Sequence, residues 1–196
     1  MVAFSVEERY DSPVDFSQVL KTLLTEFDRR QIRYAAIGGF AMGVLGAPRG
    51  TFDVDFLVHR DHLTSVHELM TSLGYQRFAY TENASHYLHQ DKAWGAVDYL
   101  HAFRPIALGM LERTRAYPVF EGTLQIRVAQ PEDVIGLKVQ AMANNPLRRA
   151  KDQFDIEALM ERYGSSLDWK RLQGYYDLFE MGREVRPLRK RFDHAQ

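Results

Sequence analysis

Two aspartates one residue apart, Asp53 and Asp55, interrupt an apolar run from Phe52 to Val58. Strand side chains alternate between faces, so Phe52, Val54, Phe56 and Val58 point one way and the two aspartates the other. Two carboxylates held side by side against an apolar layer repel each other, and desolvation makes each costlier to keep ionised. A divalent cation relieves both costs, and carboxylate oxygens are the ligands Mg²⁺ prefers. Upstream, a short apolar strand, Tyr34 to Ile37, breaks at Gly38-Gly39. Glycines there let the backbone approach a ligand closely, with amides of the following helical turn open to a phosphate. A tight turn before a solvated sheet edge would use the same letters. The glycines alone, or Asp-Val-Asp alone, do not separate the two readings. The combination favours chemistry: strand, Gly-Gly, a short helix-length gap, then Arg49-x-Thr51-x-Asp53-x-Asp55 inside a second apolar strand.

That combination resembles the nucleotidyltransferase fold of DNA polymerase β-like enzymes. Their signature is a hydrophobic residue with Gly-(Gly or Ser), a spacer, then Asp-hydrophobic-Asp-hydrophobic. Here the matching residues are Ile37-Gly38-Gly39 and Asp53-Val54-Asp55-Phe56. Arg49-x-Thr51 is similar to the bacterial branch that includes AbiEii-type nucleotidyltransferase toxins. So is a later stretch, Lys138-Val139-Gln140-Ala141 followed by Arg148, Asp152 and Asp155. The resemblance implies an α+β fold, a mixed β-sheet with helices on one face followed by a C-terminal helical bundle. It implies transfer of a nucleoside monophosphate from an NTP to an acceptor, with Asp53, Asp55 and a third acid holding two Mg²⁺ ions. Asp98, the one acid in the apolar run Ala96 to Leu100, fits the third place, and its plainer reading is a strand-end turn residue. By the same resemblance Gly38, Gly39, Arg49, Thr51, Lys138 and Asp152 would bind the nucleotide. Asp152 and Asp155 could instead pair with Arg148, Arg149 or Lys151 along one helix. The acceptor would be RNA or tRNA, with an antitoxin protein as partner if the toxin branch holds. A small-molecule, aminoglycoside-type nucleotidyltransferase and a catalytically silent binding protein of the same fold are the alternatives.

The elements that must position these residues follow from periodicity. Ser12-Pro13-x-Asp15 opens a helix whose buried stripe is Phe16, Val19, Leu20, Leu23, Leu24 and Phe27. A second helix carries Leu63, Val66, Leu69, Met70 and Leu73 and stops at Gly74. Tyr75 to Tyr80, His86 to Gln90 and Ala96 to His101 read as a three-stranded meander, and Pro105 to Arg113 as a helix. Tyr117 to Phe120 and Leu124 to Val128 flank Glu121-Gly122 as a hairpin. From Pro131 the pattern is helical, with a break at Asn144-Asn145-Pro146 and a further helix near Leu167-Asp168. The expected division is a catalytic core over residues 1–130 and a helical region over 131–196. The basic stretch Arg183 to Arg191 reads as a solvated, frayed end, with contact to RNA phosphates as the other reading. Asp91, in a polar turn, is a poorer third acid than Asp98. His86 and His89 would point to opposite strand faces and do not form a shared metal site.

Composition bounds the rest. In 196 residues, Lys+Arg 25 against Asp+Glu 26 gives a net charge of −1, so no global field marks a dedicated nucleic-acid-binding module. The absence of cysteine excludes disulfides, thiolate metal sites and a cysteine nucleophile. No basic n-region with a long apolar run opens the chain, and no segment reaches about 18 consecutive apolar residues. A soluble, cytoplasmic protein with no membrane partner is expected.

Overall fold

The architecture comes from a computed structural model, which describes residues 14–193. Helix α1, Phe16–Arg29, buries Val19, Leu20, Leu23, Leu24 and Phe27 of the stripe its periodicity predicts, while Phe16, at its first turn, is only partly buried. Its N-cap is Asp15, whose side chain accepts from the Gln18 N–H; Ser12 and Pro13 lie outside the described residues. Strand β1, Tyr34–Ile37, is buried throughout and runs directly into the short helix α2, Gly38–Val44. Strand β2, Asp53–His59, starts one residue later than the apolar run suggests: Phe52 precedes it and is 56% exposed, so it does not join the core row of Val54, Phe56 and Val58.

A 3-10 turn, Arg60–His62, leads into α3, Leu63–Ser72, and Gly74 follows at φ +89°. The meander forms as β3, Gln76–Tyr80, β4, Ala84–Leu88, and β5, Ala96–Ala102. Helix α4 spans Pro105–Glu112, and the hairpin is β6, Arg115–Val119, with β7, Leu124–Val128. All seven strands join one mixed sheet in the order β3-β4-β5-β2-β1-β7-β6. β1 pairs antiparallel with β2 and parallel with β7, while β2 pairs parallel with β5. One face is packed by α1 and α3. Phe27 of α1 meets Phe56 and Tyr99 edge-on at 5.2 and 6.4 Å, and the Tyr99 hydroxyl reaches Met70 of α3. The aspartates of β2 point to the other face, as strand alternation requires.

Four helices follow the sheet: α5, Pro131–Asn144, α6, Arg149–Tyr163, α7, Trp169–Asp177, and α8, Val185–Phe192. Their buried residues, among them Val139, Ile156, Leu159, Leu172 and Tyr176, belong to the same continuous hydrophobic cluster as the sheet. Polar ties reinforce the junction. Arg113 donates to both oxygens of the buried Asp133, and the Tyr163 hydroxyl donates to the Leu45 carbonyl at 2.9 Å. The basic C-terminal stretch is not a frayed end: it folds as α8, because Val185, Leu188 and Phe192 fall at helical spacing and are buried. Among the described residues no helix is long and apolar enough to cross a membrane.

Candidate active site

The register of three adjacent strands assembles the acids. Asp55 lies opposite Ile37 at the end of β1, and Asp98 on β5 is its direct cross-strand partner. Asp53 follows two residues back on the same face of β2. One oxygen from each of Asp53, Asp55 and Asp98 lies within 4.8 Å of the others, and all three side chains are half-buried. Thr51 donates from its hydroxyl to Asp53 Oδ1 at 2.6 Å, which fixes that carboxylate from the loop before β2.

The glycines are explained by the same register. Because β1 ends opposite Asp55, the turn leaving β1 passes over that carboxylate. Gly38 sits at φ +63°, and a Cβ there would collide with the Asp55 carboxyl group. A Cβ on Gly39 would meet Thr51 at 2.6 Å and the Arg49 guanidinium at 3.1 Å. The Gly39 amide hydrogen-bonds to Asp55. The glycine turn thus packs between Asp55 on one side and Thr51 and Arg49 on the other.

The electrostatics are those of an unpaid set of like charges. Asp55 is pushed up to about 7 from the usual 3.8, first by burial, then by the charges of Asp53 and Asp98; the Gly39 amide and Arg49 oppose the shift. Asp98 is also raised, chiefly by burial, with His86 holding it down. A cation among the three would relieve the strain, and a set of carboxylate oxygens suits Mg²⁺ in its donor chemistry.

His86 is the residue that sequence reasoning missed. Its Nδ1 lies 2.9 Å from Asp98 Oδ1, because β4 pairs with β5 in the register that sets His86 opposite Asp98. The signal was present in the alternation of β4, but it requires knowing the pairing partner. Asp91 is elsewhere: its side chain accepts from the Ala93 N–H at the start of a 3-10 turn, Lys92–Trp94.

Lys138 and Asp152 do not stand beside the acids as free groups. Lys138 is buried, and its ammonium lies 3.3 Å from Asp152 Oδ1 and 2.5 Å from Asp155 Oδ2. Asp152 also pairs with Arg148, and Asp155 with Arg49, each at 3.0 Å. Arg49 is therefore the link between this ionic joint and the glycine turn. Of the helix pairings open to Asp152, Arg148 is the one formed; Arg149 pairs with Glu184 instead.

Comparison with known proteins bears on the family and the fold. A family model described as "uncharacterised nucleotidyltransferase" matches residues 14–186. No curated protein matches the chain. Among solved structures, the antibiotic-resistance factor ANT(2'')-Ia superposes with a TM-score of 0.63 at 15% identity, over 92% of this chain and 100% of its own. An antigenic nucleotidyltransferase-like protein from Paracoccidioides brasiliensis gives 0.52 at 17% identity, over 91% and 95%. The lincosamide antibiotic adenylyltransferase LnuA, with lincomycin bound, gives 0.51 at 16% identity, over 76% and 98%. At these identities the likeness is one of fold.

Proposed function

The chain belongs to this family of uncharacterised nucleotidyltransferases, and from that premise we propose that it moves a nucleoside monophosphate from an NTP to an acceptor hydroxyl at Asp53, Asp55 and Asp98. The reading is carried by one observation: three carboxylates converge from two parallel strands to within 4.8 Å, beside a turn that tolerates no Cβ. Asp53, Asp55 and Asp98 would hold the two Mg²⁺ ions, which when bound supply charge neutralisation to the triphosphate and a more acidic acceptor hydroxyl.

The chain's own residues do the rest. The glycine turn brings the backbone against Asp55, and Arg49 beside it would meet the triphosphate with a guanidinium suited to phosphate oxygens. Thr51 keeps Asp53 in its rotamer. Asp98 has one oxygen engaged by His86 and offers the other to the site, where it takes the acceptor's proton. The hydroxyl oxygen then bonds to the α-phosphorus as the bond to the β-phosphate bridging oxygen breaks, and pyrophosphate leaves.

The finer proposal for the acceptor is an RNA hydroxyl, the AbiEii-type reading, which would bring an antitoxin protein as partner. It is supported by a groove of about 840 Å³ lined by Lys170, Arg186, Arg189 and Lys190, in which Asp177 and Asp193 also stand and Asp193 pairs with Arg189. The test is to incubate the protein with each α-labelled NTP, Mg²⁺, and either total cellular RNA or a panel of aminoglycosides and lincosamides. Wild type is expected to label one acceptor class and Asp53→Ala none. A folded Asp53→Ala protein that still transfers label would sink the assignment. Label in the small molecules alone would replace RNA as acceptor.

A further inference from the structure

Five charged side chains meet at the joint between the loop preceding β2 and helices α5 and α6. Lys138, Asp152 and Asp155 are its buried centre, and Arg49 and Arg148 stand at its rim. Asp155 Oδ2 is shared: it accepts from the Lys138 ammonium at 2.5 Å, and the Arg49 Nε lies 3.0 Å from it as an ion pair without hydrogen-bond geometry. For Lys138 to reach a phosphate it would have to leave both carboxylates, and bare buried carboxylates are strongly unfavourable. Arg49 is different. Its Nε faces Asp155, its Nη1 donates to the Gly50 carbonyl at 3.0 Å, and its Nη2 lies against the glycine turn. The guanidinium is a rigid plane, so the ion pair with Asp155 and the Nη1 bond to Gly50 together set where both Nη groups point.

We propose that Lys138 and Asp155 are positioning residues for the NTP: Lys138 holds Asp155, Asp155 holds Arg49, and Arg49 presents its Nη groups to the triphosphate. The proposal rests on the nucleotide-transfer reading above. Arranging the guanidinium in advance removes side-chain disorder that would otherwise be lost on binding. The charge balance also fits. Three cations, Arg49, Lys138 and Arg148, face two carboxylates, Asp152 and Asp155, leaving one positive charge in excess at the rim. The C-terminal helices thereby act on the nucleotide without touching it.

The test is calorimetric binding of the four α,β-methylene NTP analogues with Mg²⁺, which needs no acceptor and permits no transfer. Arg49→Ala and Asp155→Asn are each expected to weaken the preferred analogue about tenfold, and Lys138→Met about threefold. In the Arg49→Ala background neither Asp155→Asn nor Lys138→Met should weaken it further. Because one buried partner without the other can unfold the protein, a paired variant, Lys138→Met with Asp155→Leu, removes both charges and keeps the joint apolar. With a normal melting curve it should bind as weakly as Arg49→Ala. The proposal is overturned if Lys138→Met costs as much affinity without Arg49 as with it, since Lys138 would then touch the triphosphate itself. It is equally overturned if Asp155→Asn or the folded paired variant binds like wild type. Tight binding by wild type alongside either result leaves nucleotide transfer standing, whereas a wild type that binds none of the four analogues removes both readings.

Discussion

Two clusters of charge lie on either side of Arg49, and they are built on opposite plans. The acid cluster gathers three carboxylates, half-buried, with a histidine on one of them. The joint gathers two carboxylates and three cations, and its centre is buried completely enough that each ion depends on its neighbours. Burial alone does not separate a working site from a structural one, since the joint is the more buried of the two. Charge balance does. A set of like charges open to one side takes its counter-charge from a ligand, whereas in a set of mixed sign every carboxylate already has a cation within the chain, and the set holds the chain in shape.

The contrast is sharpest when one charge is removed from each. Lys138→Ala leaves Asp152 and Asp155 short of a partner in the interior and is expected to cost about 3–5 kcal/mol of stability. Asp53→Asn removes a repulsion instead, so in metal-free buffer its stability should equal or exceed that of wild type. Urea denaturation of both variants in EDTA checks this. A Lys138→Ala protein as stable as wild type would mean that the joint does not act as a closed ionic unit.

Backbone around the acid cluster offers a smaller effect with an internal control. Gly38→Ala drives a methyl group into the Asp55 carboxyl at a positive φ and is expected to destabilise the protein by roughly 1–3 kcal/mol. Gly43, one helical turn further on, has open space where its Cβ would go. Alanine there should be neutral or stabilising by about 0.5–1 kcal/mol, as for any glycine in a helix. Equal melting temperatures for the two variants would show that the turn can yield around Asp55.

How much of this was legible in the sequence tracks how local each feature is. The Gly-Gly turn and the Asp-Val-Asp strand lie on neighbouring strands, β1 and β2, and were readable from alternation and spacing. β1 falls on Tyr34–Ile37, as read. The convergence of Asp98 on Asp55 depends on a parallel pairing across more than forty residues, and only the resemblance pointed to it. His86 was weighed against His89, which was read onto the same strand but lies just past the end of β4, while its partner is Asp98 on the next strand. Lys138 read, by resemblance, as a nucleotide ligand. That reading could not see that α5 and α6 pack so that residues 14 and 17 positions later close over it. In α8 the apolar spacing of Val185, Leu188 and Phe192 was present in the letters but outweighed by the run of cations.

The smallest expected effect distinguishes the clusters by pH. In the metal-free protein Asp55 is pushed up to about 7 from 3.8, so the folded chain holds its proton where the unfolded chain has released it. The unfolding free energy then falls as pH rises between roughly 4 and 7 and levels off above. Asp98, raised in the same direction, adds to this slope. With the partial exposure of both groups taken into account, Asp55 should contribute on the order of 1 kcal/mol across that window. Asp55→Asn abolishes its share, so the difference between wild type and variant melting temperatures should shift in favour of the variant on going from pH 5 to pH 8. Added Mg²⁺ should stabilise wild type more at pH 8 than at pH 5, because at the lower pH it must displace a proton to bind. A variant whose pH slope matches wild type would mean that the three carboxylates are not strained, and the charge imbalance that sets this cluster apart from the joint would lose its physical basis.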